Sequence, residues 1–290
     1  MSDGNRVDVP VAGGALATHR FGDGAPAVLA VHGITSSSHT WLAVARTLSG
    51  RVSLIAPDLR GRGRSNALPG PTGMAAHARD MLAVLDHFEL DRAVVVGHSL
   101  GAYILARLAA DHPERVASVV LVDGGLTVPA GGDVDPQAFV EAFLGPALAR
   151  LKMTFASREE YRAWWRRHPA FAHGDIDASD LDAYADYDLI GEPPAMRSAV
   201  VEDAVRGDAA ELFTMGEPAH RLSVPATLMC APRGLQDQPE PMQPPDVVRS
   251  WVDEAPAQRR MQLVPDVNHY TIVLGRAGAE AVAATVLEQL

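Results

Sequence analysis

Three β-branched residues, Val94, Val95 and Val96, run directly into Gly97-His98-Ser99-Leu100-Gly101, and that pentapeptide runs directly into the helix-forming stretch 103–110. A strand that becomes a helix within a single turn leaves no room for side chains at the corner. Glycine two residues to either side of a serine supplies that room. The serine is then expected in a strained backbone that lifts its hydroxyl above the end of the strand, and the helix starting there points unpaired N–H groups at any negative charge forming beside it. The pattern predicts a nucleophile at Ser99.

The chain around this corner alternates between strands and helices. Residues 6–11 and 15–21 flank Gly13-Gly14 and read as a hairpin, and residues 27–33 form an apolar run ending in His32-Gly33, as expected of a strand buried on both faces. A helix over 40–48, a strand over 52–57, a helix over 72–87 and a strand over 116–122 follow. The pattern resumes with a strand at 224–230, a helix at 246–253, a strand near 261–264 and a last helix over 275–290. Repeating βα units with apolar strands predict an α/β fold whose sheet is mostly parallel, with ligands at the C-terminal strand ends. His32-Gly33, Asp58, Ser99 and Asp123 fall at such ends.

Between residues 126 and 215 no convincing strand appears, helical spacing takes over, and 16 acidic residues stand against 8 basic ones. This composition shift predicts a helical cap over 126–215, inserted into a core made of 1–125 and 216–290. The net charge of -11 argues against nucleic acid or an anionic membrane as partner. The acidic insertion also makes a strongly anionic substrate less expected than an apolar one. The lone Cys230 allows no intrachain disulfide, and no basic leader or apolar run of 18 residues is present, so a reducing, cytoplasmic setting is expected. No metal, nucleotide or other cofactor motif occurs, and none is expected.

A serine hydroxyl needs a base at neutral pH, and the base needs a carboxylate to orient it. Among eleven histidines, His269 follows the last strand, in a loop that returns to the Ser99 corner. His98 adjoins Ser99, but its side chain is expected to point elsewhere. For the carboxylate, Asp237 ends the turn Gly234-Leu235-Gln236-Asp237 after the strand at 224–230, while Asp123 ends the strand at 116–122. Asp237 is the first choice and Asp123 its competitor. Asp266 reads as a turn former. The oxyanion of an attacked carbonyl would meet the backbone N–H groups of Leu100 and Ile34.

Together His32-Gly33, Asp58-x-Arg60-Gly61-x-Gly63-x-Ser65, Gly97-His98-Ser99-Leu100-Gly101 and Asn268-His269 resemble the α/β-hydrolase superfamily over nearly the whole chain. The resemblance implies an eight-stranded sheet, a helical cap over the active site and the triad order Ser99, Asp237, His269. One departure is that Ala231-Pro232-Arg233 precedes the G-x-x-D turn, which usually follows the strand at once. The expected activity is hydrolysis of a carboxylic ester or lactone on a small apolar molecule through an acyl-enzyme. Other chemistry on the same fold (C–C hydrolysis, perhydrolysis, lyase) and a silent ligand-binding protein are the alternatives.

Overall fold

The computed structural model describes residues 4–127, 136–173, 175–211 and 213–290. The chain opens with the hairpin β1 (Asn5–Val11) and β2 (Gly14–Phe21), then β3 (Ala27–Val31), α1 (Leu42–Leu48), β4 (Ser53–Pro57) and α2 (Met74–His87). Next come β5 (Ala93–His98), α3 (Leu100–Asp111) and β6 (Val116–Val122). After an inserted segment, β7 (Ala226–Cys230), α8 (Pro245–Glu254), β8 (Arg259–Leu263), α9 (Thr271–Leu274) and α10 (Arg276–Glu288) close the fold. The eight strands form one sheet in the order β1-β2-β4-β3-β5-β6-β7-β8. The β1–β2 and β2–β4 pairings are antiparallel, and every later pairing is parallel.

Strand β5 shows why the central strands read as unbroken apolar runs. Val95 joins the apolar layer shared with α2, α3 and α8, while Val94 and Val96 join the layer shared with α1 and α10. Both faces are therefore core, and burying each such side chain is worth about 1.5–3 kcal/mol.

The inserted segment carries α4 (Pro136–Leu151), α5 (Arg158–Arg166), α6 (Ala178–Asp188) and α7 (Glu202–Ala209). It also contains a two-residue antiparallel ladder, Leu189–Ile190 with Arg197–Ser198, which the sequence did not announce because two residues are too few to show a period. Several of its aromatics are packed inward: Tyr161, Trp165 and Tyr184 join the apolar layer above the sheet. Its acidic surplus lies partly on its outer face, where Arg166 holds Glu159 and Asp182.

In this order β3 has β4 on one side and β5 on the other, so the chain direction of travel reverses between β3 and β5. That is the switch point at which open parallel sheets leave a crevice. The loop after β3 and the turn after β5 flank it, and the ends of β6 and β7 lie next along the same edge.

Candidate active site

Ser99 sits at φ 53°, ψ −121°, between the end of β5 and the first turn of α3. Its N–H donates to the Val122 carbonyl of the neighbouring strand, 2.9 Å away. The corner tolerates no side chains. A Cβ at position 97 would come within 2.3 Å of the Gly101 carbonyl oxygen, and one at position 101 within 2.0 Å of the Val31 carbonyl oxygen. The two glycines of the pentapeptide thus let strand and helix close on the strained serine.

The loop after β3 lies directly against this serine, since a Cβ on Gly33 would be 3.2 Å from Ser99 Cβ and 3.6 Å from its Oγ. Three consecutive carbonyls of that loop are held by buried side chains. His32 Nδ1–H donates to the Gly33 oxygen (2.8 Å), while its Nε2 accepts the Leu59 N–H (3.0 Å), which fixes the tautomer. Arg62 Nε donates to the Ile34 oxygen at 2.9 Å and Arg150 Nη2 to the Thr35 oxygen at 3.0 Å. Burial keeps His32 neutral by lowering its pKa to about 4. With its carbonyls held by its own His32 and by Arg62 and Arg150 from two other parts of the chain, the loop has little freedom to turn its N–H groups away. Ile34 lines the cavity that also exposes Ser99, and Leu100 is the first residue of α3.

His269 follows β8, as the sequence suggested, and lines the same cavity as Ser99. Its Nδ1 lies 2.7 Å from Asp123 Oδ2, and both residues are buried. A carboxylate only accepts, so Nδ1 carries a proton, and an imidazole holding that proton alone has its lone pair on Nε2. Asp123 comes from the tight turn after β6, at φ 48°. Its other oxygen accepts the Ala231 N–H at 3.0 Å, from the first residue beyond β7.

The expectation that Asp237 orients His269 is corrected by this geometry. The predicted turn forms, with the Asp237 N–H on the Gly234 carbonyl at 3.2 Å. Its carboxylate, however, accepts from Asn268 Nδ2 at 2.9 Å and pairs with Arg233 Nε at 2.9 Å. The cause is the three-residue extension after β7. Arg233 pairs with Asn268 in an isolated parallel bridge, which carries the turn past the point where it could meet the histidine. Asp237 therefore meets the neighbour of His269 instead of His269 itself.

His98 also departs from expectation. Its ring lies 4.7 Å from the His269 ring, and its Nε2–H donates to the His269 carbonyl at 2.8 Å. Burial, followed by the neighbouring His269, pushes its pKa well below the ordinary value, so it stays neutral. Only its position beside Ser99 hinted at this. Asn268 completes the loop: its Oδ1 accepts the N–H groups of Tyr270 (3.0 Å) and Thr271 (2.9 Å), and its Nδ2 also donates to the Ala170 carbonyl of the inserted segment at 2.8 Å.

The cavity over Ser99 measures about 60 Å³. Its apolar wall includes Leu144, Trp164, Trp165 and Met242, and its space suits a few waters or a short acyl group. Among the described residues no cluster of three or more His, Cys, Asp or Glu side chains is placed to hold a metal ion. Among them, too, no helix is long and apolar enough to cross a membrane.

Comparison with known proteins agrees with this architecture. The chain is 32% identical over 182 residues to a lipase, LipV, of Mycobacterium tuberculosis, a match covering 61% of this chain and 63% of the relative. It is 38% identical over 106 residues to a putative carbamate hydrolase, RutD, of Klebsiella pneumoniae, covering 36% of this chain and 40% of the relative. The first curated relatives are matched over only 31% of their length, so the chain spans between about a third and two thirds of the curated proteins it resembles. Among solved structures, E-2-(acetamidomethylene)succinate hydrolase superposes with a TM-score of 0.78 at 22% identity, covering 98% of both chains. The α/β hydrolase fold family matches residues 26–197, and the chain belongs to that family.

Proposed function

We propose that this chain is a serine hydrolase that cleaves a carboxylic ester or lactone through an acyl-enzyme. The observation that carries the reading is the convergence on one cavity of a serine held at positive φ and a histidine whose Nδ1–H is committed to a buried carboxylate. In this mechanism Ser99 Oγ attacks the carbonyl carbon as His269 Nε2 takes its proton. Asp123 keeps the imidazole in the working tautomer and stabilises the imidazolium. The negative charge on the former carbonyl oxygen is met by the N–H groups of Leu100 and Ile34, the first at the positive end of α3. His269 then returns its proton to the leaving alcohol. Water attacks the acyl-enzyme by the same route and releases the acid.

Segment 126–215 serves as a cap that shuts water out of the reacting centre. The packing of Tyr161, Trp165 and Tyr184 against the sheet layer supports this role. Membership of the family supports hydrolysis, and the matched lipase favours an ester among hydrolysable bonds.

The test is single-turnover mixing with p-nitrophenyl acetate and butyrate, with mass analysis of the quenched protein. The reading expects a stoichiometric p-nitrophenol burst and an acyl adduct on the peptide carrying Ser99, with both lost in Ser99→Ala. Turnover that persists in Ser99→Ala would overturn it.

A further inference from the structure

Not all of the cavity lining is apolar. Arg150, from the last turn of α4, is almost wholly buried yet lines the cavity. Its Nη1 is fully used, facing Asp188 Oδ2 at 2.5 Å, the Tyr161 hydroxyl at 2.5 Å and Ser198 Oγ at 3.1 Å. Nη2 donates to the Thr35 carbonyl. Among the described residues nothing accepts from Nε. Trp165 covers one face of the guanidinium, with its ring 5.0 Å away. Asp188 is itself engaged on both oxygens, since Oδ2 also takes the Tyr161 hydroxyl and Oδ1 takes Ser198 Oγ.

Two further groups line the same cavity, and both offer donors. His168 Nδ1 accepts the Ala170 N–H at 3.2 Å, so the ring proton is on Nε2. Burial, with the charge of Arg150, lowers the His168 pKa to about 4, so the ring stays neutral. Gln236 Nε2 stands 3.5 Å from His168 Nε2, two N–H groups facing one another. Exchanging the amide oxygen and nitrogen of Gln236 satisfies His168 but then turns the NH₂ group elsewhere, so a spare donor remains in either orientation. One small cavity is thus lined by a nucleophile and by a buried cation with unused N–H groups beside further donors. A guanidinium with a free edge is the usual partner of a carboxylate.

We propose that Arg150, with His168 and Gln236, binds a carboxylate on the acyl group, so that the substrate is a half-ester of a short dicarboxylic acid. Water is consumed, and the alcohol and the free dicarboxylate are released. The assignment rests on the serine hydrolase reading and narrows it. It also reverses the expectation drawn from the acidic insertion. Carboxylates such as Glu159 and Asp182 are paired on the outer surface, whereas the charge that faces the cavity is that of Arg150.

The test compares kcat/KM for monomethyl succinate with that for methyl 4-methylpentanoate, in which an isopropyl group replaces the carboxylate at nearly equal size. Wild type should prefer the half-ester by about tenfold to a hundredfold, the range expected of one charge-assisted contact. In Arg150→Lys, which keeps the charge and loses the fork, the ratio should fall toward unity. Equal or better use of the neutral ester, or a ratio unmoved by Arg150→Lys, would overturn the proposal while leaving ester hydrolysis intact. If neither ester is turned over and a fluorophosphonate fails to label Ser99, the hydrolase reading fails separately. Titration calorimetry with succinate then decides the carboxylate site: saturable binding that weakens in Arg150→Lys supports it, and no binding to wild type refutes it.

Discussion

Arg62 and Asp208, both wholly excluded from solvent, meet at 2.6 Å and tie the loop after β4 to helix α7 of the inserted segment. Asp208 also accepts from His77 Nε2 (2.9 Å) and the Gly73 N–H (2.6 Å). Burial opposes its ionisation, but Arg62 and His77 outweigh it and hold its carboxyl at about 2. Burial also draws the Arg62 guanidinium below its ordinary value, so the net gain rests on these added hydrogen bonds. Removing one partner strands the other charge. Asp208→Ala is expected to cost about 3–5 kcal/mol in urea unfolding, and Arg62→Met with Asp208→Leu to recover only part of it, because the His77 ring N–H, the Gly73 N–H and the Ile34 carbonyl are left without partners. Single and double variants of equal stability would contradict the assignment.

Buried histidines predict an acid-sensitive fold. Burial lowers His32 and His168 to about 4 and His39 to about 3, and it holds His98 well below 6.5. A histidine with a depressed folded pKa contributes stability that is complete above its unfolded value of about 6.5 and is lost as the pH falls toward the folded value. His32 alone accounts for about 3 kcal/mol between pH 6.5 and 4. The urea midpoint should therefore decline steeply over that window, with proton uptake on unfolding. A flat midpoint from pH 7 to 4.5 would rule this out.

At Ile34 the backbone rather than the side chain is expected to act. Ile34→Ala keeps the N–H and should leave kcat within a few fold of wild type. Ile34→Pro removes the donor and should lower kcat by about a hundredfold to a thousandfold, with a smaller change in KM. Equal losses in the two variants would point to packing instead.

His98 is expected to act through His269, as a positioning residue. Replacing it with leucine leaves the His269 carbonyl without its 2.8 Å donor in a buried place. Steady-state kinetics should show kcat reduced by about tenfold at nearly unchanged KM, because the misplaced imidazole affects proton transfer more than substrate binding. A glutamine at 98, which can still donate, should restore part of the rate. No difference between the leucine and glutamine variants would refute the positioning role.

The parts of this molecule that were legible in sequence are those set by neighbours in the chain. Val94 to Gly101 spell out a strand, a corner and a helix in eight residues, and Ser99 adopts the strained φ that the flanking glycines allow. The apolar strands gave the parallel sheet for the same reason, since burial on both faces leaves no polar alternation. The choice between Asp123 and Asp237 was not local. It turned on whether the chain continues beyond β7 long enough for Arg233 to pair with Asn268, a contact across 35 positions. Nor was Arg150 legible. One arginine in a helical stretch looks like any other until α4 places it beside Asp188, Trp165 and the Thr35 carbonyl.

The measurement that bears most directly on the proposed site compares Asp123→Asn with Asp237→Asn, by kcat for a p-nitrophenyl ester the wild type turns over. Both changes are nearly isosteric, but only Asp123 touches His269. An asparagine at 123 lets the imidazole settle in the wrong tautomer, and kcat is predicted to fall by about a thousandfold to ten thousandfold. Asp237→Asn should stay within about tenfold of wild type, because it weakens only the brace on Asn268. A large loss in Asp237→Asn beside a mild one in Asp123→Asn would contradict the account.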